Sequence, residues 1–311
     1  MRIASYAGLL LLSLAILARL VVRLFFHEAW ILTKIQWHMG RSRYDRALPL
    51  IIRQLDRLRR KKGENHIDTA VAKFSLGQIQ YQHGRTDDGR RLVDEATAFF
   101  AAYSDPKDKT YWVHLLNLGV AQRSIDRRDH ALETFRQAVD LQRKLHGSDN
   151  EQVAQALSNM GVTLEESGRA QESIPIYEEA LQIQTKLRGD KSCEVARLHV
   201  NLAEAYTSLR QWPPAERHIQ EAIAILQPLP SHDLGEAYDT YARLLEEQER
   251  FSQAEQMRTN ALGNLKRALG VGSVEVAKQM EKYASLLGNL NRNTECELFK
   301  QKAAAIRETL V

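Results

Sequence analysis

Residues 156–192 read ALSNMGVTLEESGRAQESIPIYEEALQIQTKLRGDKS, and this stretch decides the fold. Leu157, Met160, Gly161 and Leu164 fall three and four apart, which places them on one face of a helix. Ile174, Tyr177, Ala180 and Leu181 repeat that spacing on a second helix. Between them, Ser167-Gly168 is a turn signal. The stretch predicts one helical hairpin. Its small residues, Gly161 and Ser173, stand twelve apart, where two helices can cross closely.

The frame recurs in both directions. The small residue of the first helix is Gly77, Gly119, Gly161, Ala203, Ala242 and Ala284, in steps of 42, 42, 42, 39 and 42 residues. Twelve positions later stand Gly89, Ala131, Ser173, Ala215, Ala254 and Cys296. A weaker copy falls on Ile35 and Ala47. Self-similarity at such a period predicts a solenoid. One hairpin cannot bury its own apolar face, so stacked neighbours supply the core. Three segments follow: 1–26, outside the repeat; 27–66, a degenerate first hairpin with a basic cluster; and 67–311, a solenoid of six repeats.

Hydrophobic content of 44% and charge of 26% are those of a folded protein. The net charge is only +4, but the segment 41–62 carries nine basic residues and two acids. That segment is +7 alone, which leaves the remainder near −3. Cys193 and Cys296 lie in different repeats and form no disulfide framework or metal spacing. Cys296 is expected to pack in the core.

Residues 3–18 carry no formal charge, and Arg19 and Arg23 interrupt an apolar continuation to Phe26. Sixteen residues are short of a full span, but arginines can snorkel to the interface. Three readings stand: an uncleaved transmembrane anchor, a cleaved signal segment, or a helix lying on a membrane or capping the solenoid. The anchor is favoured, which predicts a single-pass membrane protein with a slight lean to a cytoplasmic solenoid. Trp30 and Trp37 suit either a headgroup belt or the core of the first hairpin. Pro49 and Pro175 are expected in the first turns of their helices, where a missing N–H costs little.

The cluster Arg53, Arg57, Arg59, Arg60, Lys61 and Lys62 ends a predicted helix. Cations are favoured there by the helix dipole, so a solvated face is one reading. A lipid-facing basic patch is another. Nucleic acid is not expected, because aromatic residues do not interleave with the bases. Further helices are expected over about 68–83, 111–124, 128–145, 198–209, 216–226, 237–249, 253–269, 274–287 and 294–309. Pro213 and Pro214 open one of them; Pro228 and Pro230 close it, where the repeat is three residues short.

The segments NLGVAQRSIDRRDHALETFRQAVDLQRKLHG from Asn117, NMGVTLEESGRAQESIPIYEEALQIQTKLRG from Asn159 and NLAEAYTSLRQWPPAERHIQEAIAIL from Asn201 resemble the tetratricopeptide repeat (TPR) family. The longer period is similar to its kinesin-light-chain-like 42-residue subtype. The resemblance implies an all-α fold, a right-handed superhelical solenoid of tandem TPR hairpins, here preceded by an N-terminal hydrophobic helix. It also implies that the concave face of the first helices binds a protein or peptide. An asparagine two positions before the first-helix glycine is frequent in that family, and here it is Asn117, Asn159 and Asn201. Thr240, Lys282 and Ser75 break the ladder. The amides could clamp a peptide backbone, or bridge helices within the stack. Helical spacing adds Val113, Val120, Gln155, Val162, Arg197 and Glu204 to that face. This mixture is mostly apolar and neutral, which favours an extended or helical peptide over a phosphorylated one.

Catalytic signatures are lacking: no HExxH, GxSxG, CxxC or glycine-rich phosphate loop occurs. His114 and His199 fall on first helices of different repeats, without a cysteine or carboxylate at ligand spacing. No cofactor, metal, nucleic acid or small-molecule substrate is expected. The sequence therefore predicts a membrane-tethered, non-enzymatic TPR scaffold that binds a partner on its concave face, with the membrane engaged through residues 3–26. The alternative is a non-catalytic subunit of an enzyme complex, or an enzyme built on the solenoid.

Overall fold

The computed structural model describes residues 44–82, 84–103, 111–228 and 230–310. These residues form thirteen α-helices and no strand. The first is α1 (Tyr44–Lys62). Six hairpins follow: α2 (Ile67–Gln82) with α3 (Thr86–Ala102), α4 (Tyr111–Ser124) with α5 (Arg128–His146), α6 (Glu151–Glu166) with α7 (Ala170–Arg188), α8 (Cys193–Ser208) with α9 (Trp212–Leu226), α10 (His232–Glu247) with α11 (Phe251–Leu269), and α12 (Val274–Asn289) with α13 (Asn293–Leu310). The fold is an all-α solenoid of tandem helical hairpins. It divides into two compact units at Thr134/Phe135, within α5.

The predicted frame is where the helices cross, and all twelve of its small residues are buried. A Cβ added at Gly77 would sit 2.7 Å from the Gly89 carbonyl oxygen, and one at Gly89 would sit 2.6 Å from that of Gly77. At Gly161 the neighbour is the Tyr177 ring, 2.4 Å from an added Cβ. Backbone or ring thus occupies the space that a side chain would need. Each core cluster joins a hairpin to its neighbour along the chain. In the first unit, Phe74, Val93, Ala96 and Phe100 of α2–α3 pack on Leu118 and Ala121 of α4. In the second, Ala203 and Ile219 of α8–α9 meet Leu234 and Ala237 of α10.

The turn inside every hairpin holds a left-handed residue seven positions after the small residue: Gly84, Asp126, Gly168, Arg210, Glu249 and Asn291, with φ of 55° to 84°. The next residue donates its N–H five residues back, as Arg169 does to the Leu164 carbonyl at 2.8 Å and Arg250 to that of Leu245 at 2.8 Å. This closes the helix end as a Schellman turn does. Between hairpins, Gly63, Gly147, Gly189 and Gly270 carry φ of 81° to 89°, which glycine adopts freely just past a helix end. Asn150, Ser192, Ser231 and Ser273 then cap the following helices, accepting from the N–H three residues on. These caps start α8 and α10 five residues earlier than the apolar spacing alone predicts.

Several expectations need correction. Pro49 and Pro175 lie inside α1 and α7, one turn beyond the first. No described helix is long and apolar enough to cross a membrane. The membrane-tethered reading, the membrane contact through residues 3–26, the single-pass localisation and its cytoplasmic lean are withdrawn on that finding. The segment 1–26 that suggested them lies outside the described residues, as do Trp30, Trp37 and the first helix of the degenerate hairpin. The basic patch on α1 is partly neutralised within the first unit. Arg59 forms a two-bonded pair with Glu64 at 2.8 and 3.3 Å, and Lys62 pairs with Asp68. Cys193 is exposed and Cys296 buried, both as free thiols.

Candidate functional site

In the second unit the first helices of successive hairpins line up one face. There α6, α8 and α10, with Gln184 of α7, enclose a cavity of about 340 Å³. Gln155, Ser158 and Asn159 come from α6, Arg197, Val200 and Asn201 from α8, and Asp233 and Glu236 from α10. A second cavity of about 260 Å³ continues from Glu236 to Asp239, Lys278, Gln279 and Lys282 across α12. The residues reach one face because they recur at the same place in each repeat.

Of the predicted site residues, the structure brings Asn159, Asn201 and Arg197 to this groove, with Gln155. Val162 is half-buried on α6 outside the lining. Glu204 is also outside it, accepting from Thr240 at 3.0 Å and from Arg243 at 2.7 Å. Asn117 and Val120 lie on α4 in the first unit. Both asparagine amides of the groove already have partners within the protein. Asn159 donates to the Gln155 carbonyl at 3.0 Å, and Asn201 donates across to the Ser158 hydroxyl of α6 at 3.5 Å. The amide oxygens are what these side chains could offer a ligand.

The lining is polar and acidic, which corrects the apolar, neutral face predicted from spacing. Its carboxylates are Glu151, Glu194, Asp233 and Glu236, against one guanidinium, Arg197. The first three of these acids sit in the opening turns of α6, α8 and α10, just after the caps. Negative charge is favourable there against the helix dipole, so the groove inherits its sign from the residues that start its helices. Glu151 pairs with Arg188 at 2.7 Å, and Glu194 stands 3.6 Å from Arg197. Asp233 and Glu236 stand 3.9 and 3.7 Å from the His232 imidazole. Burial holds the Glu236 carboxyl above the usual range. Farther along α6, burial pushes Glu165 up to about 7, partly opposed by the nearby Tyr177 hydroxyl.

Among the described residues, two groups of side chains have metal-ligand chemistry. His232, Asp233 and Glu236 form the exposed one, at the groove. The other is His199, His218 and Glu221, between α8 and α9. There His199 Nδ1 lies 2.8 Å from His218 Nδ1, and His199 Nε2 lies 3.3 Å from a Glu221 oxygen. Burial lowers both imidazoles, with His218 near 4. The sequence reading treated His199 as alone. The missed signal was His218 and Glu221 three apart on α9, one helical turn, facing it across the hairpin.

The profile of the tetratricopeptide repeat matches residues 112–186 and 194–267. No curated protein matches the chain significantly. Among solved structures, the chain is similar to BtubC (BKLC) from P. vanneervenii, at 19% identity over 72% of this chain and 90% of that one, with a TM-score of 0.55. It is similar to a putative kinesin light chain of Podosopora anserina with TPR-like repeats, at 16% identity over 64% and 96%, with a TM-score of 0.53. The apo form of RapI is also similar, at 15% identity over 90% and 97%, with a TM-score of 0.56. The shared property is the TPR-like solenoid of helical hairpins.

Proposed function

We propose that this chain is a non-enzymatic scaffold that seats an extended segment of a protein partner in the groove of α6, α8, α10 and α12. Its repeats are read as the 42-residue, kinesin-light-chain-like form, on the steps of 42 residues between successive small residues and the long loops between hairpins. The observation that carries the binding role is the single cavity shared by Asn159, Asn201, Arg197, Asp233 and Glu236, from three successive first helices. Such a surface repeats contacts along an extended chain at the spacing of the repeats. The excess of carboxylates favours a segment bearing lysine or arginine and disfavours a phosphorylated one.

The test is selection of a random-peptide phage library on the purified protein, followed by affinity measurement of the enriched peptides. Lysine- or arginine-bearing peptides are expected. Asp233→Lys with Glu236→Lys should weaken them by about tenfold or more. Asn159→Ala with Asn201→Ala should weaken them too, with helicity and melting unchanged. Peptides without basic residues, or affinities unmoved by both double variants, would remove the groove from consideration.

A further inference from the structure

We propose a zinc site inside hairpin α8–α9, formed by His199, His218 and Glu221. His199 projects from α8, while His218 and Glu221 share one face of α9. One donor atom from each lies within 4.8 Å of the others. The two imidazoles meet through Nδ1 atoms 2.8 Å apart. On a tetrahedral zinc ion with Zn–N of about 2.0–2.1 Å, two such nitrogens stand about 3.3 Å apart. The rings therefore part by about half an ångström and turn so that both Nδ1 lone pairs converge on the ion, which takes the place of the proton that they share, and the exposed Glu221 carboxylate swings over from His199 Nε2, where it lies at 3.3 Å, to complete the set. Nitrogen and carboxylate donors in this number suit zinc better than magnesium or calcium, which prefer oxygen alone.

The surroundings fit a built site. His199 and His218 are 8% and 7% exposed, whereas Glu221 is exposed, so an ion has a protected seat and one open side. Three protein ligands leave a fourth position for water on that side. The Tyr206 ring lies parallel to the His218 ring at 5.7 Å, which restrains its orientation. The fold itself does not require imidazoles here. The frame places Leu157 and Ile176 at the equivalent positions of α6–α7, Tyr238 and Met257 in α10–α11, and Met280 and Phe299 in α12–α13. Of these four repeats only this one replaces the apolar pair with two imidazoles; the acid one turn on, Glu221, has a counterpart in Glu179 of α7.

The full-length chain, stripped with chelator, is titrated with Zn²⁺ against a chromogenic competitor, and separately with Co²⁺ while visible absorption is recorded. One Zn²⁺ per chain is expected, with a rise in melting temperature. Tetrahedral cobalt bands should appear without a thiolate charge-transfer band, since neither cysteine is a ligand. Glu221→Gln alters an exposed side chain and should weaken Zn²⁺ by about tenfold or more, and His218→Gln by about a hundredfold. His232→Ala with Asp233→Asn and Glu236→Gln should leave the affinity unchanged. Absence of stoichiometric zinc, a thiolate band, or an affinity untouched by either Glu221→Gln or His218→Gln would overturn the site. The His199–His218 contact would then be a hydrogen-bonded core pair and nothing more.

Discussion

In hairpin α8–α9 the buried ionisable groups are two imidazoles, His199 and His218, which satisfy each other at 2.8 Å. One repeat on, in α10–α11, the buried charge is the Arg258 guanidinium, 5% exposed. It pairs with Asp239 and bonds Glu246 at 2.8 Å. Gln279 and Lys282 of α12 close on the same Asp239, so this network ties three helices together. The imidazole pair spans one hairpin and carries little charge into the core. The guanidinium is tolerable only because carboxylates surround it. Both hairpins obey one frame of small residues, which sets how closely the helices approach. Polarity around the crossing is free to vary, provided that a buried charge or imidazole finds a partner.

The sharpest way to break this comparison is Arg258→Ala. It leaves Asp239 and Glu246 without their main partner and should cost about 3–5 kcal/mol, read from the urea midpoint. A loss below about 1 kcal/mol would mean that Lys282 and Gln279 sustain Asp239 unaided. The neutral hairpin should respond less. His218→Leu strands the His199 ring and should cost about 1–3 kcal/mol. Adding His199→Leu should recover part of that loss, because neighbouring repeats hold apolar pairs at these positions. A double-mutant cycle gives the coupling, and strict additivity would contradict a mutually satisfied pair.

A pH series probes the helix that faces α8. Glu165 lies beside Glu204, Arg243, Glu166 and the Tyr177 hydroxyl, with its carboxyl raised from 4.5 to about 7. The folded state therefore holds more protons than the unfolded state between those values. Stability from this group is full below about 4.5 and is lost as pH rises through about 7. Glu165 is partly exposed, so the effect is discounted to on the order of 1 kcal/mol. Glu165→Gln should flatten that part of the melting-temperature profile, and an unchanged slope would assign it to other groups. The smallest effect is expected at the turns. Arg210 and Glu249 hold φ of 55° and 60° in the two hairpins. Arg210→Gly and Glu249→Gly should each add up to about 1 kcal/mol by relieving left-handed strain. A gain in one and a loss in the other would show that the strain belongs to local sequence and not to the shared turn.

Much of the fold was legible because helix crossing leaves a one-dimensional trace. Gly77 and Gly89 are small since each faces the other's carbonyl, and twelve residues is the chain length between those points. The left-handed turn was legible at Gly168 and hidden at Arg210 and Glu249, where backbone closure overrides residue preference. Helix starts were misjudged at α8 and α10 because the caps Ser192 and Ser231 precede the apolar rhythm. At the groove, Asn159, Asn201 and Arg197 line one cavity, and its acidity was not legible in the spacing. Those acids belong to opening turns that apolar periodicity does not register.

The amino-acid sequence alone determined the hairpin, its period and the positions where helices cross, since local helical geometry and steric limits act between residues close in the chain. Only the tertiary structure decided which polar groups meet. Asn201 reaches Ser158, Arg258 reaches Asp239, and His199 meets His218 and Glu221. Each of those encounters joins separate helices, and its chemistry depends on the angle at which two faces pack.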